Sequence, residues 1–166
     1  ARAEGRRGVR QHHARTLMPL SAGGPGVLAV LSRALAGTTV PVTVLDPLGR
    51  QVPAAILMVD TGAGRTAYVE SAQACGLHLL ADSERDPMVT STYGVGQLIE
   101  AALADGAAVV VVGLGGSGTN DGGAGMLAAC GAGGPGGLAP GGARLRERAE
   151  DALARGAAVR ERPEGV

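Results

Sequence analysis

The sequence predicts an α/β protein with a parallel-strand, Rossmann-like core and a subsidiary β-hairpin region. Residues 107–112 indicate the core, because this β-branched apolar run without polar alternation is typical of a strand buried on both faces of a parallel sheet. A glycine-rich loop, residues 113–125, follows this strand. Small apolar residues at helical spacing then occupy residues 124–130, so the stretch predicts a strand–loop–helix unit.

The hairpin region precedes this unit in the chain. Two apolar or alternating runs, residues 38–45 and 51–59, flank the turn sequence Asp-Pro-Leu-Gly at residues 46–49, and together they predict a hairpin that forms a subsidiary sheet. A third strand is predicted at residues 65–70. The remaining predicted elements are helices at residues 27–35 and 97–104 and a short helix or turn at residues 71–80.

Composition limits the classes of function. The 166 residues carry no net charge, which gives no support to a nucleic-acid or anionic-membrane partner. No apolar run reaches the roughly 18 residues of a membrane span. The two cysteines are too few for a disulfide framework, so we expect a cytoplasmic protein. The expected partner is a small molecule, and the oligomeric state is left open. All 15 basic residues are arginines, so phosphate contacts would come from arginine side chains and backbone amides.

The glycine-rich loop is the predicted ligand site. It holds seven glycines in thirteen residues, interleaved with short polar side chains. Glycine permits positive φ angles and close approach of a ligand to the backbone, and N–H groups between a strand and a helix can converge on an anion. A flexible linker is the alternative, but a linker would not lie between a valine-rich strand and an apolar helix. The loop lacks the lysine of a P-loop and the GxGxxG spacing of a dinucleotide site.

A second loop has a similar character. Thr90, Ser91 and Thr92 come immediately before glycines and a predicted helix. Hydroxyls at a helix start are more often N-caps than ligands. Two such loops in one chain, each opening a helix, nevertheless favour a shared anion site.

Several of these segments resemble one known family. The sequence GLGGSGTNDGGAGM at residues 113–126 resembles the glycerate kinase loop GIGGSATNDGGAGM and departs from it at Leu114 and Gly118. Residues 85–99 resemble the family segment RNPLTTTSYGTGELI, and residues 44–50 resemble VTGPLGE. The resemblance covers about residues 18–131. Family members are well over twice as long, so the chain resembles an incomplete copy of a two-domain fold.

Family resemblance implies an ATP-dependent kinase that phosphorylates D-glycerate, with ATP and Mg²⁺ as cofactors. It implies that Asp121 is the base on the substrate hydroxyl or a Mg²⁺ ligand. It leaves open which hydroxyl is phosphorylated and whether the loop binds a phosphate or the glycerate carboxylate. The implied substrate- or phosphate-binding residues are Gly115, Gly116, Ser117, Thr119, Asn120, Gly122, Ser91, Thr92 and Glu70. For Glu70, a solvated strand-end carboxylate is an equally supported alternative.

Departures from the family pattern weaken the expectation of catalysis. Ala22 and Pro25 occupy positions where the family pattern PVADGGEG has acidic residues. A catalytically inactive remnant that binds a small anion is therefore the alternative function. We expect a disordered basic N-terminus at residues 1–16, the kinase-like α/β region at residues 17–131, and a Gly/Pro-rich linker with a charged helix at residues 132–166.

Overall fold

A computed structural model describes residues 21–62, 64–132 and 141–142 of the chain. The predicted disordered N-terminus and nearly all of the predicted linker and charged C-terminal helix lie outside these residues. The described strands are β1 (Thr38–Leu45), β2 (Gln51–Thr61), β3 (Gly64–Glu70) and β4 (Val109–Gly113). The α-helices are α1 (Val27–Ala34), α2 (Ala72–Cys75), α3 (Tyr93–Ala104) and α4 (Ala124–Ala129). Two short 3₁₀ turns lie at Leu77–Leu79 and Asp82–Glu84.

The four strands form one mixed sheet in the order β1-β2-β3-β4. The pairs β1–β2 and β2–β3 are antiparallel, and β3–β4 is parallel. Helices α2 and α3 lie in the crossover that joins the parallel strands, as such a connection requires. The predicted α/β class is confirmed. The hairpin does not form a separate subsidiary sheet, because β3 pairs with β2 on one side and with β4 on the other.

Helices cover both faces of this sheet. On one face α2 and α3 contribute Ala74, Val95 and Leu98 to a core that includes Ile56 and Val69 of the sheet. On the other face α1 packs Leu28 against Leu57 and Val59 of β2. Alternate residues of β2 therefore serve two cores, which explains why its sequence is almost continuously apolar.

Strand β4 differs from its prediction. It begins at Val109 rather than at residue 107, and it is the edge strand of the sheet within the described part of the chain. Val110 and Val112 pack against the core on the α3 side, but Val109 and Val111 are 54% and 44% exposed. The prediction of a strand buried on both faces is therefore wrong for the described residues, because α1 packs mainly on β2 and β3 and approaches β4 at its last residue, where Val27 lies beside Gly113.

The turn between β1 and β2 is built around a buried aspartate. The Asp46 carboxylate accepts hydrogen bonds from the backbone N–H groups of Leu48 and Arg50 and from Arg50 Nε at 2.6 Å. Burial would raise the pKa of Asp46, but these hydrogen bonds outweigh it and hold the pKa below its ordinary value.

None of the described helices is long and apolar enough to span a membrane.

Helices α3 and α4 pack closely at Gly96. A Cβ placed on Gly96 would lie 2.6 Å from the Ala129 Cβ and would collide with the Met126 carbonyl oxygen. Glycine here permits the two helix backbones to approach, and this contact holds α4 against the rest of the fold.

We expect Gly96→Ala to destabilise the protein even though alanine favours helix. The gain in helix propensity is about 1 kcal/mol, whereas overpacking costs about 1–3 kcal/mol. Gly62→Ala is the control, because a Cβ at Gly62 has no neighbour within 4 Å. Urea unfolding of both variants measures the difference, and equal free energies of unfolding would contradict the packing argument.

Candidate functional site

The candidate site lies where the parallel strands β3 and β4 end. Glu70 and Gly113, the last residues of these strands, are paired in register. The Ser71 backbone N–H and hydroxyl both donate to the Gly113 carbonyl oxygen, at 3.1 and 2.8 Å. Ligands of open α/β sheets bind beyond the carboxyl ends of the strands. The glycine-rich loop leaves the sheet at this edge.

Residues 116–118 of the glycine-rich loop are held along one side by the segment that follows β3. The Leu77 N–H donates to the Gly116 carbonyl oxygen and the Gly118 N–H donates to the Cys75 carbonyl oxygen, both at 2.8 Å. Ser117 forms a β-bridge with Gly76, and its hydroxyl lies 3.6 Å from the Cys75 sulfur. The loop is therefore joined along one side to the segment that follows β3.

Residues 23–26 pack against the loop on another side. A Cβ on Gly115 would lie 2.7 Å from the Gly24 Cα, and a Cβ on Gly116 would lie 2.8 Å from the Pro25 Cδ. Gly116 and Gly122 have positive φ angles of 66° and 59°, as the sequence predicted, whereas Gly115 does not. Gly115 is required for close backbone packing instead. Pro25, which replaces an acidic residue of the family pattern, lies directly beside the loop.

Asp121 is buried between the starts of α3 and α4 and is 1% exposed. Its Oδ2 accepts from the Thr92 N–H at 2.8 Å and from the Gly125 N–H at 3.1 Å. Its Oδ1 accepts from the Gly123 N–H at 3.1 Å, and the Thr92 hydroxyl lies within 3.0 Å of both oxygens. The carboxylate therefore joins the glycine-rich loop to the Thr90–Thr92 segment. Its predicted role as a base or Mg²⁺ ligand stays a prediction.

Glu70 holds the start of α1 in a similar way. Its Oε1 accepts from the Gly26 N–H at 3.0 Å, and its Oε2 accepts from the Leu28 N–H at 3.1 Å. A carboxylate at a helix N-terminus satisfies otherwise unpaired N–H groups and favours the helix dipole. Glu70 also borders a cavity of about 350 Å³ together with Ser32, Thr39 and Gln73. It is thus not a solvated strand-end carboxylate, and each of its oxygens accepts one protein hydrogen bond.

The hydroxyls before α3 have internal partners. Ser91 Oγ accepts from the Tyr93 N–H at 3.1 Å, a local contact across two residues. Thr92 is the N-cap residue of α3 and forms no side-chain cap hydrogen bond, so the N-cap arrangement that was the alternative to ligand binding is not formed. Thr92 Oγ1 binds Asp121 and accepts from the Met126 N–H at 3.0 Å. Thr90 Oγ1 is buried without a hydrogen-bond partner within the described residues. The Ser91 and Thr92 side chains thus both bond within the protein, and their predicted ligand role stays a prediction.

Residues 115–120 of the same loop, the open segment, carry polar groups that face no protein partner in the described part of the chain. The exposed side chains of this segment are those of Ser117 and Asn120, and Thr119 is half-buried between them. Among the described residues, the backbone N–H groups at positions 115, 116, 117, 119 and 120 donate no hydrogen bond to another protein atom. Open backbone donors next to short polar side chains are the groups that bind a phosphate or a carboxylate. These residues are the part of the predicted site that can still accept a ligand.

Most arginines in the described ranges are engaged in ion pairs. Three of the four arginines in the described ranges form ion pairs: Arg50 with Glu84, Arg65 with Asp60 and Arg85 with Asp82. The fourth, Arg33, is in the last turn of α1, the end opposite Gly26 and Glu70. The predicted contacts of arginine side chains and backbone amides with a phosphate stay a prediction.

The structure brings the predicted residues together in two groups. The first group bonds within the protein: Asp121 with Thr92, Ser91 with Tyr93, and Glu70, separately, with the start of α1. The other predicted residues belong to the glycine-rich loop. Ser71 was missed by the sequence reasoning. It is 1% exposed and fixes the end of β4 through its hydroxyl. The signal that could have revealed it is a hydroxyl residue directly after Glu70, at the carboxyl end of a strand.

The structure and the comparisons with known proteins identify the class and then the family. The fold and the site define an α/β protein whose glycine-rich loop follows the second strand of a parallel pair. The model of the glycerate kinase family matches residues 1–158, so the chain belongs to the glycerate kinase family. This match is wider than residues 18–131, to which the sequence resemblance was limited.

Individual relatives agree with the family assignment. The chain is 46% identical over 114 residues to the glycerate kinase of Bacillus subtilis (strain 168), covering 69% of this chain and 29% of the relative. It is 44% identical over 115 residues to the glycerate 2-kinase of Escherichia coli (strain K12), covering 69% and 30%. The crystal structure of a candidate glycerate kinase 2 from Salmonella typhimurium LT2 matches with a TM-score of 0.60 and 43% identity, over 68% of this chain and 29% of that one. The matched region thus spans about 30% of these relatives.

We expect Thr92→Val and Thr90→Val, the same change two residues apart, to have opposite effects on stability. Thr92→Val removes hydrogen bonds to a buried carboxylate, so the free energy of unfolding should fall by about 2–3 kcal/mol. Thr90→Val removes a buried hydroxyl that has no described partner, so stability should be unchanged or rise by about 1 kcal/mol. Chemical denaturation of the two variants provides the measurement. A loss of stability in Thr90→Val comparable to that in Thr92→Val would contradict this assignment of the hydroxyl contacts.

Gly115→Ala should destabilise the protein without any ligand, because the methyl group would collide with the Gly24 backbone. We expect a loss of about 1–3 kcal/mol in the free energy of unfolding from this overpacking. Gly62→Ala again provides an uncrowded control. Thermal melts in ligand-free buffer test this point. An unchanged melting temperature in Gly115→Ala would mean that the loop does not pack on residues 23–26 as described.

Proposed function

We propose that this chain binds a small anion of the glycerate kinase reaction, in which the γ-phosphoryl group of ATP is transferred to a hydroxyl of D-glycerate. The observation that carries the proposal is the open segment of the glycine-rich loop, residues 115–120. Its backbone N–H groups, together with Ser117, Thr119 and Asn120, lie at the carboxyl end of the β3–β4 pair. Phosphoryl transfer depends mainly on positioning and on charge stabilisation, which such donors supply.

Two anions fit this set of donors. One is a phosphate group of ATP, and the other is the carboxylate of D-glycerate. Both accept several N–H and O–H hydrogen bonds, and both suit a loop in which Gly116 and Gly122 have positive φ angles. The family supports the use of ATP as phosphoryl donor, and a cytoplasmic location stays a prediction.

The residues in the described ranges do not by themselves fit a Mg²⁺ ion. They include no cluster of three or more His, Cys, Asp or Glu side chains that could hold a metal. Mg²⁺ prefers carboxylate and phosphate oxygens in octahedral geometry. Asp121 is buried with both oxygens in hydrogen bonds, and Ala22 and Pro25 offer no carboxylate where the family pattern has acidic residues. We therefore assign no step to a metal ion bound by these residues.

A second function is favoured by the same observation. A site that binds the anion without turnover needs only the open loop, whereas catalysis also needs groups that act on the reacting hydroxyl. Asp121 is the carboxylate that the family resemblance offered for that task, and both of its oxygens accept hydrogen bonds from the protein. A catalytically inactive anion-binding protein is therefore the alternative.

We expect D-glycerate, inorganic phosphate or ATP with Mg²⁺ to raise the melting temperature of the 166-residue chain. A ligand at 100 times its dissociation constant stabilises by about 2.7 kcal/mol. Asn120→Ala should reduce this shift and leave the ligand-free melting temperature unchanged, because the side chain is exposed and forms no hydrogen bond within the described residues. Ser83→Ala, on the exposed Asp82–Glu84 turn, is the control and should retain the full shift.

A coupled assay for ADP release separates the two candidate functions. Turnover within the usual enzyme range of about 1–10³ s⁻¹ would support the kinase and contradict the inactive binder. We expect little or no turnover from the isolated chain. A chain that gives no melting shift with any of the three ligands would contradict both functions.

A further inference from the structure

Asp121 has contacts that differ from those of a proton acceptor. Four donor groups surround its carboxylate: the N–H and the hydroxyl of Thr92, and the N–H groups of Gly123 and Gly125. An ionised carboxylate has about four lone-pair sites on its two oxygens. Every site is therefore occupied by the protein, and only 1% of the residue is exposed.

A general base must reach the substrate hydroxyl directly or through one water molecule. Asp121 could do so only by giving up one of its internal hydrogen bonds and becoming exposed. We propose that Asp121 is a positioning residue, whose buried charge holds Thr92 and the glycine-rich loop in one arrangement, and that it takes no proton from the substrate. The proposal rests on the proposed function, because the arrangement that it holds is the anion-binding loop.

Thr92 completes this set of hydrogen bonds. Its hydroxyl donates to Asp121 and accepts from the Met126 N–H, and it therefore joins Asp121 to the first turn of α4. The packing leaves no room for displacement: a Cβ on Gly125 would lie 2.7 Å from the Tyr93 nitrogen and 2.8 Å from Asp121 Oδ2. The starts of α3 and α4 are thus fixed to each other by one charge, one hydroxyl and one glycine.

The hydrogen bonds of Asp121 also determine the position of the loop residues that precede it. Asn120 immediately precedes Asp121, and Gly122 immediately follows it. A neutral side chain at position 121 would leave N–H donors around it without an acceptor, at a cost that applies to buried polar groups in general. The loop would then relax away from α3, and the open donors that precede Asp121 would change their positions.

The test compares Asp121→Asn with two substitutions of Thr92 that keep the carboxylate. Affinity for D-glycerate and for ATP with Mg²⁺ is measured by calorimetry well below the melting temperature of every variant. We expect Asp121→Asn and Thr92→Val to weaken the ligand that binds the wild-type chain by tenfold or more. Thr92→Ser retains the hydroxyl and should restore affinity to within about threefold of the wild type. Any residual turnover in Asp121→Asn should keep the pH profile of the wild type.

Three outcomes would overturn the proposal, and each can be told apart from the others. If Asp121→Asn keeps its affinity but loses turnover together with the acid limb of the pH profile, Asp121 is a base. If Asp121→Asn and Thr92→Val melt at lower temperature but bind as the wild type does, the contacts serve stability alone. If Asp121→Asn does not fold, the Thr92→Val and Thr92→Ser pair decides by the same affinities. If the wild-type chain binds neither ligand, the proposed function fails first and the positioning role fails with it.

Discussion

The hydrogen bonds to the Asp121 carboxylate are the interaction on which the rest of the site depends. A buried charge is tolerated only where donors replace the water that it has lost. Thr92, Gly123 and Gly125 supply those donors, and each must remain close enough to keep its bond. The carboxylate therefore imposes a distance between the start of α3 and the start of α4. Once that distance is set, the end of the glycine-rich loop has little freedom.

Glu70 applies the same principle to α1. Its two oxygens accept from Gly26 and Leu28, which brings residues 23–26 against the loop. Backbones packed this closely leave no space for side chains, as the short distances from Gly115 to Gly24 illustrate. The high glycine content of these segments is therefore a packing requirement. Gly96, between α3 and α4, meets the same requirement away from the site.

The division of the site into internally bonded residues and an open segment separates stability from binding. Several carboxylates and hydroxyls for which the sequence predicted a catalytic or ligand-binding role form hydrogen bonds at the starts of helices. The groups left for a ligand are mostly backbone N–H groups of the open segment. Neutral donors with a fixed orientation stabilise an anion because they need no reorganisation when it binds. This arrangement suits the glycerate kinase family, in which the transferred and accepting groups are anionic or lie next to an anion.

The sequence by itself determined the kinds of element, their order and the location of the loop, although α3 begins at Tyr93, four residues before its predicted start. Strand β1 has the predicted bounds, and the turn at Asp46 and the positive φ angles of Gly116 and Gly122 follow from local residue chemistry. Only the tertiary structure decided which donors meet each carboxylate, because Asp121 and Thr92 are 29 residues apart and Glu70 and Gly26 are 44 apart. Within the described residues it also placed β4 at the sheet edge, with Val109 and Val111 exposed. Local patterns encode backbone preference and apolar periodicity, whereas the partners of a buried charge and the neighbours of a strand depend on how distant segments pack.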